Sequence, residues 1–240
     1  MDRYDPEAVL NCAAMTNVDG CEENSTLAHE INAEAPGHMA RICAERDIEF
    51  VHVSTDYVFD GDAESPYNEA AEPNPIQEYG RSKLAGEKAV TEANDGALIA
   101  RLSFVYGIHG ATGELTGFPA WVRSQLIEDV EVPLFTDQHV TPTRAGHAAE
   151  TILNLLEQEM PGLVHVASQS CVTPYEFGEK LIEHSSLQGS LIESTLSDVE
   201  RPARRPRYSC LDTGRVESLL GRPEPTLAQD VERIASALAD

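Results

Sequence analysis

Short apolar runs alternate with amphipathic stretches along most of the chain. Such runs are typical of buried parallel strands, and stretches with apolar positions every three or four residues are typical of helices that cover them. The predicted strands are 9–14, 49–55, 97–107 and 163–168. The predicted helices run from Asn24 or Ser25 to about Arg46, from Gln77 to Ala93, from near Pro119, and from Arg144 to Glu159. The pattern predicts an α/β fold, and two further helices beyond the fourth strand predict a less regular lobe.

The charge balance of the chain is strongly acidic. Its 240 residues include 41 Asp and Glu against 17 Lys and Arg, a formal net charge of −24, and its few lysines are Lys83, Lys88 and Lys180. The carboxylates are dispersed, which is typical of a halophilic protein because concentrated salt screens their mutual repulsion. An ordinary acidic protein is the alternative. In either case nucleic acid and anionic membranes are unfavourable partners.

The cellular compartment is predicted from the N-terminal segment, the apolar runs and the cysteines. No apolar run is long enough to span a bilayer, and the acidic start MDRYDPEAV lacks the apolar core of a secretory signal. We therefore expect a cytoplasmic protein. The cysteines share no CxxC spacing and are expected to be reduced and mostly buried, with disulfides as the alternative: Cys12, Cys21, Cys43, Cys171 and Cys210. The eight histidines show no metal-ligand spacing, so no metal site is expected.

The stretch YGRSK (79–83) places Tyr79 four positions ahead of Lys83. Residues with this spacing share one face of a helix. A nearby ammonium group favours the phenolate, so we expect Lys83 to lower the pKa of Tyr79 and make it a proton donor or acceptor. The lysine can also bind ribose hydroxyl groups. The spacing alone also arises by chance.

The second predicted strand ends in Ser54 and Thr55. Ligands bind at the carboxyl ends of parallel strands, so the Thr55 hydroxyl is expected beside Tyr79, where it would share a substrate carbonyl. An ordinary strand-end cap is the alternative for Thr55 alone. Together Thr55, Tyr79 and Lys83 predict a catalytic triad.

Several segments closely resemble the dTDP-4-dehydrorhamnose reductases, which are extended short-chain dehydrogenases/reductases. The matching segments span nearly the whole chain: VLNCAAMTNVDGCE, EINAEAPGHMARICAE, FVHVSTDYVFDG, PYNEAAEPNPIQEYGRSKLAGEKAV, ARLSFVYG, TDQHVTPT and RPARRPRYSCLDTGRVESLLG. The resemblance implies hydride transfer from NADPH or NADH to the C4 ketone of a nucleotide-linked 6-deoxy sugar, in dTDP-rhamnose biosynthesis. It also implies that Tyr79 donates the proton, Lys83 activates the tyrosine and binds ribose, and Thr55 orients the ketone.

Further site residues are implied by the same resemblance. Ala13, Ala14, Asn32 and Ser54 would lie on the cofactor side, and Val18 and Tyr57 would line the sugar pocket. Phe104 stands where the family usually has Trp, a departure that bears on the identity of the sugar. Trp121 is expected to substitute in part for the missing ring, or else to be a helix packing residue.

The reaction type is indicated by the residues after Thr55. Related nucleotide-sugar dehydratases have Asp-Glu at this point, whereas this chain has Asp56-Tyr57, which favours reduction over dehydration. Two alternatives remain open. One is a nucleotide-sugar epimerase, and the other is a non-catalytic regulatory or assembly subunit of the same fold.

The family's first strand, GxxGxxG turn and helix have no counterpart in this sequence. The resemblance therefore predicts an N-terminally truncated, Rossmann-like, doubly wound parallel sheet with a smaller C-terminal substrate-binding lobe. Residues 1–110 would form the partial dinucleotide-binding core, and 111–240 a mixed segment holding the last core helix and strand (about 143–168) and the lobe. A start assigned too late, a truncated gene or a real short form would each account for this. An unpaired edge on strand 9–14 is expected, covered by a homodimer or a partner chain.

A GxxGxxG spacing does occur at Gly107, Gly110 and Gly113. In a pyrophosphate loop the helix begins within the motif, but here the next predicted helix begins only near Pro119. We therefore expect a loop at the substrate mouth and no dinucleotide loop.

Overall fold

The computed structural model describes residues 4–239 as a parallel sheet with helices on both faces and a smaller lobe beside it. The strands are β1 (Ala8–Asn11), β2 (Glu49–Thr55), β3 (Leu98–Leu102), β4 (Val105–Ile108), β5 (Leu115–Thr116), β6 (Val132–Phe135), β7 (Thr143–Arg144), β8 (Gly162–His165) and β9 (Leu191–Ser194). The helices are α1 (Val18–Glu23), α2 (Ser25–His29), α3 (Ala35–Glu45), α4 (Glu78–Ala93), α5 (Phe118–Ile127), α6 (Ala145–Glu157), α7 (Pro174–Glu183), α8 (Gly214–Leu220) and α9 (Leu227–Ala239). A π-helical turn, Glu30–Glu34, joins α2 to α3.

The main sheet has the strand order β1-β2-β3-β8, and all of its pairs are parallel. This confirms the predicted α/β class, and β2 has the predicted bounds. β1 is shorter than predicted and is mostly exposed: Leu10 is 43% exposed, and Asn11 at the end of the strand is buried. Within the described residues β1 pairs only with β2, so the expected unpaired edge is present. The partner chain over that edge stays a prediction.

Alternation along β2 sends successive side chains to opposite faces of the sheet. Phe50 packs with α3 and α4, and His52 and Ser54 reach side chains of α4 on the same face. Val51 packs on the other face with residues of α6 and α8. Burial of a side chain such as Phe50 stabilises the fold by about 1.5–3 kcal/mol. These two packed layers fix the sheet and leave the carboxyl end of β2 free to carry a site.

The predicted third strand is interrupted at Phe104, whose φ is +45°. The turn ends β3 and sends β4 out of the main sheet, where β4 pairs antiparallel with β5 and parallel with β7. Gly107, Gly110 and Gly113 lie in the β4–β5 hairpin and its loop, as expected for a segment that does not begin a helix. Backbone strain of this kind cannot be read from the apolar run alone.

The lobe is built around one apolar cluster from β4, α5, β6, α7 and α9. Its fully or nearly fully buried members include Tyr106, Val122, Leu134, Phe177 and Ile234. The pair β6–β9 is parallel and lies under α7. α8, although late in the chain, packs on the main sheet through Val216. The C-terminal segment therefore contributes to both the lobe and the sheet.

The prediction that the cysteines are reduced is wrong for Cys171 and Cys210, which form a disulfide with a Cα–Cα distance of 5.6 Å. Folding brings together residues 39 positions apart, and no local spacing indicates that. Cys21 and Cys43 are free and buried, whereas Cys12 is free and exposed. No helix within residues 4–239 is long and apolar enough to cross a membrane. No group of His, Cys, Asp and Glu in that range is arranged to hold a metal ion.

Candidate active site

A cavity of about 560 Å³ opens at the carboxyl ends of β1 and β2, between α4 and α6. Its wall is mainly apolar, and it includes most of the residues that the sequence predicts for the site: Ala14, Val18, Ser54, Thr55, Tyr57, Tyr79, Lys83 and Phe104. Ala13, Asn32 and Trp121 are not part of this wall. Concave, mostly apolar sites with a few convergent polar groups are where small molecules bind.

A close approach between the start of α4 and the turn after β2 positions Tyr79. A Cβ atom on Gly80 would lie only 2.0 Å from the carbonyl oxygen of Tyr57, so a side chain there would push α4 away. The Gln77 side chain caps the helix by accepting a bond of 2.6 Å from the Gly80 N–H. As a result the rings of Tyr57 and Tyr79 meet edge to face, with centroids 6.0 Å apart.

The phenol of Tyr79 is held in its protonated form. Burial raises its pKa above the ordinary value, the nearby Asp56 carboxylate raises it further, and a hydrogen bond with Thr55 opposes the rise. The expectation that Lys83 lowers this pKa is therefore wrong for this structure. A protonated phenol is suited to donate a proton, which is what reduction of a ketone requires.

Lys83 lies beneath the cavity with only 2% of its surface exposed. Its Nζ donates to the carbonyl oxygen of Val53 at 2.7 Å and lies 3.3 Å from Nε2 of His52. Burial lowers the pKa of Lys83 to about 8, against the opposing charges of Glu87 and Cys12. The ammonium is thus engaged on the β2 side, which explains why it does not depress the pKa of Tyr79.

Asp56 is a site residue that sequence reasoning missed, because it was considered only as half of a dehydratase pair. The Thr55 hydroxyl donates to Asp56 Oδ1 at 3.1 Å and accepts from the Tyr57 N–H at 3.2 Å. Ser103 and Ser209 donate to Asp56 Oδ2 at 2.9 and 2.5 Å. In this arrangement the proton of Thr55 is directed to Asp56. The signal available in the sequence was the position of this carboxylate, which stands between a buried strand and the apolar pair Val58-Phe59.

Ser54 lines the cavity, but its hydroxyl donates to Glu87 Oε1 at 2.5 Å. Glu87 also accepts two bonds from Arg101, at 2.8 and 2.7 Å, in an ion pair that is almost fully buried. The Arg101 guanidinium lies 5.1 Å from the ring centroid of Phe59. The Ser54 hydroxyl, expected on the cofactor side, thus helps to fix α4 against β2 and β3.

Asn32 holds the loop after β1 in place. It is fully buried, and its amide accepts from the Met15 N–H at 2.8 Å and donates to the Met15 carbonyl at 3.1 Å and to Ser82 at 2.9 Å. Asn32 therefore supports the loop from behind and does not line the cavity. The loop so fixed carries Ala14 into the cavity wall, while Ala13 is exposed and outside it.

The predicted sugar side of the cavity is formed by Val18, Tyr57 and Phe104. Phe104 is anchored by Phe118, with ring centroids 5.2 Å apart. Trp121 does not join them: it is 44% exposed on α5, and its ring touches the cluster only through Phe118 at 6.1 Å. The structure therefore does not place Trp121 where the missing family Trp would stack.

The cavity fits one end of a nicotinamide dinucleotide. Cys12 and Ala14 present small groups at the carboxyl end of β1, so a flat ring can approach the strand ends, and Lys83 lines the same wall with a nitrogen able to bond ribose hydroxyls. Among the described residues no glycine-rich turn opens a helix at which a pyrophosphate would bind. The residues present would therefore hold the nicotinamide riboside and leave the remainder of the cofactor to other groups.

A parallel sheet with Thr, Tyr and Lys gathered at its carboxyl edge defines the class of short-chain dehydrogenases/reductases. The model of the RmlD substrate binding domain family matches residues 1–239. The chain belongs to this family, that of the dTDP-4-dehydrorhamnose reductases. The resemblance predicted from sequence is confirmed.

Individual relatives agree with this assignment. A probable low-salt glycan biosynthesis reductase from Haloferax volcanii is 54% identical over the whole chain, which spans 80% of that protein. A dTDP-4-dehydrorhamnose reductase from Mycolicibacterium smegmatis is 34% identical over 87% of the chain, which spans 64% of that enzyme. The Bacillus anthracis dTDP-4-dehydrorhamnose reductase, solved in complex with NADP, has a TM-score of 0.90, 29% identity and coverage of 97% of this chain and 81% of its own. These relatives confirm the predicted enzyme class, an NAD(P)-dependent oxidoreductase.

Proposed function

We propose that the chain carries the catalytic site for NAD(P)H-dependent reduction of the C4 ketone of a nucleotide-linked 6-deoxy sugar, as in dTDP-rhamnose biosynthesis. The observation that carries the proposal is the convergence of Thr55, Tyr79 and Lys83 on one apolar cavity. Bound nicotinamide would supply the hydride. Tyr79, protonated and beside Thr55, donates its proton to the ketone oxygen as the alcohol forms. The apolar wall excludes water from the reacting groups.

A cluster of arginines supports a nucleoside diphosphate as the part of the substrate that is bound away from the ketone. Arg201, Arg204, Arg205 and Arg207 line a second cavity of about 580 Å³, shared with Asp60 and other residues. Arg205 and Arg201 also act electrostatically on Tyr57, so the cluster lies close to the catalytic cavity. Asp62 and Glu200 line the same cavity and Arg205 is paired with Asp19, so Arg201, Arg204 and Arg207 are the cations that would bind a polyanion at that end of the site.

The test is an assay of NADPH absorbance with a dTDP-4-keto-6-deoxy sugar, run in concentrated KCl on the longest chain that the gene encodes. We expect turnover, and we expect Tyr79→Phe to lower kcat by about 10²–10⁴-fold with cofactor affinity unchanged. Tyr175→Phe, on α7 in the lobe, is the matched control and should retain activity. Wild-type kcat in Tyr79→Phe would overturn the proposal. Conversion of the sugar without net consumption of NADPH would instead support the epimerase alternative.

A further inference from the structure

A series of hydrogen bonds through the backbone of Tyr57 joins Thr55 to the first turn of α4. The Tyr57 N–H donates to Oγ1 of Thr55 at 3.2 Å, and the Tyr57 carbonyl oxygen accepts from Nε2 of Gln77 at 3.4 Å. Oε1 of Gln77 in turn accepts from the Gly80 N–H at 2.6 Å. Gly80 directly follows Tyr79, so Gln77 links the segments that carry the two hydroxyl groups of the proposed site.

The Gln77 amide can take only one orientation. Gln77 is fully buried, and the Gly80 N–H can only donate, so the amide oxygen must face Gly80. The NH₂ group therefore faces the Tyr57 carbonyl oxygen, which can only accept. Both ends of the amide are thus used, and a side chain that only accepts would satisfy just one of them.

The first turn of α4 packs tightly on the Tyr57 peptide. A Cβ atom on Gly80 would lie only 2.0 Å from the Tyr57 carbonyl oxygen. On the α1 side, the Glu22 carboxylate accepts from the Glu78 N–H at 2.9 Å. The start of the helix therefore has a second anchor, so loss of the bond from Gln77 to Tyr57 should shift the first turn without unfolding α4.

We propose that Gln77 is a positioning residue that fixes the Tyr79 hydroxyl relative to that of Thr55. Gln77 does not line the cavity, so it acts through the Tyr57 peptide. The two hydroxyl groups must reach one ketone oxygen, and a displacement of less than 1 Å between them slows proton transfer. The link itself stands on geometry, and only its effect on the rate rests on the proposed function.

Gln77→Glu separates the two ends of the amide. A carboxylate still accepts from the Gly80 N–H and caps the helix, but only the protonated acid can also donate to the Tyr57 carbonyl oxygen. We expect kcat at high pH to fall by about tenfold or more, and to recover toward the wild-type value as the pH falls and the new carboxyl group is protonated. Burial raises the pKa of a carboxyl group, so recovery should begin above the ordinary value of about 4.3.

The readout is the ratio of the variant's kcat to the wild-type kcat at each pH. Taking the ratio removes titrations that both proteins share, and the groups around the first turn of α4 include Cys21, Glu22, His29, Asp56, Glu78 and Tyr79. Gln77→Met, which lacks the amide, should stay slow at every pH. Gln188→Glu, at an exposed position before β9, should match the wild type. A Gln77 that only caps the helix would be replaced by the carboxylate at every pH, so a ratio independent of pH in folded Gln77→Glu overturns the proposal.

The Tyr57 carbonyl group can also be observed without turnover. Tyr57-Val58 is the only Tyr-Val pair in the sequence, so labelling with [1-¹³C]tyrosine and [¹⁵N]valine gives one NMR signal for this carbonyl. Loss of an accepted hydrogen bond shifts a carbonyl carbon upfield, so the signal should move upfield in Gln77→Glu at high pH and return as the pH falls. An unmoved signal overturns the proposal.

The wild-type chain provides the test if Gln77→Glu does not fold. The side-chain NH₂ of Gln77, assigned by its loss in Gln77→Met or by sequential NMR, should exchange its hydrogens slowly with solvent because it is buried and bonded. Rapid exchange overturns the proposal. A wild type without turnover, combined with the expected carbonyl shift, would overturn the proposed function alone.

Discussion

Arg205 and Asp19 lie 186 positions apart in the sequence and form a two-pronged ion pair, with nitrogen–oxygen distances of 3.0 and 2.8 Å. Asp19 also accepts the backbone N–H of Ala203 at 3.0 Å. The pair fastens the arginine-rich C-terminal segment to α1, which carries Val18 into the catalytic cavity. The ion pair thereby joins the arginine-lined cavity, where the diphosphate is proposed to bind, to the sugar side of the catalytic cavity.

Replacing Asp19 with Asn should raise KM for the nucleotide sugar by up to about fivefold and leave kcat unchanged, because partly exposed ion pairs contribute about 0.2–1 kcal/mol. Steady-state kinetics over a range of KCl concentrations would check this, and the difference should shrink as salt screens the pair. A lowered kcat with an unchanged KM would contradict the structural role assigned to Asp19.

Replacing Glu87 with Gln should destabilise the fold by about 3–5 kcal/mol, because Arg101 would stay buried without its carboxylate partner. Chemical denaturation measures the free energy of unfolding directly. Glu92→Gln, at an exposed position of the same helix, is the matched control and should change stability by less than about 0.5 kcal/mol. Equal effects of the two substitutions would show that the buried ion pair is not formed.

Asp56 should make the free energy of unfolding depend on pH. Burial raises the pKa of Asp56 from 3.8 to about 6, against the hydrogen bonds from Ser209, Ser103 and Thr55. Since the folded value is the higher one, the contribution of this group is fully present below pH 3.8 and is lost as the pH rises through about 6.

Asp56→Asn should remove that loss. As the pH rises from 3.8 to about 6, the free energy of unfolding of the variant should therefore increase by up to about 3 kcal/mol relative to that of the wild type. Denaturation curves at a series of pH values give the slope, and Asp95→Asn at an exposed position serves as control. Parallel curves for wild type and Asp56→Asn would contradict the raised pKa.

Stability should increase with salt, as expected for the halophilic character predicted from the net charge of −24. The Debye length falls from about 10 Å in 0.1 M salt to about 3 Å in 1 M salt, so repulsion among dispersed surface carboxylates is screened. The thermal unfolding midpoint should rise by several degrees with KCl, whereas sorbitol at equal osmolality should give a smaller rise. A flat or falling midpoint in KCl would contradict the prediction.

Much of this protein was determined by the sequence itself. The bounds of β2 were predicted correctly and those of α4 to within one residue, because apolar periodicity and the Gln77 cap are local. The spacing of Tyr79 and Lys83 on one helix, and Thr55 at a strand end, was enough to predict that they meet. These features depend on neighbours in sequence, which is why they could be read there.

Only the tertiary structure decided how those residues are tuned. Ser209 reaches Asp56 across 153 positions, His52 reaches Lys83 across 31, and Cys171 reaches Cys210 across 39. The sequence led to the expectation that Lys83 lowers the pKa of Tyr79, whereas burial and the nearby charge of Asp56 raise it. Burial and long-range hydrogen bonds set pKa values and proton positions, and both arise only when distant segments pack together.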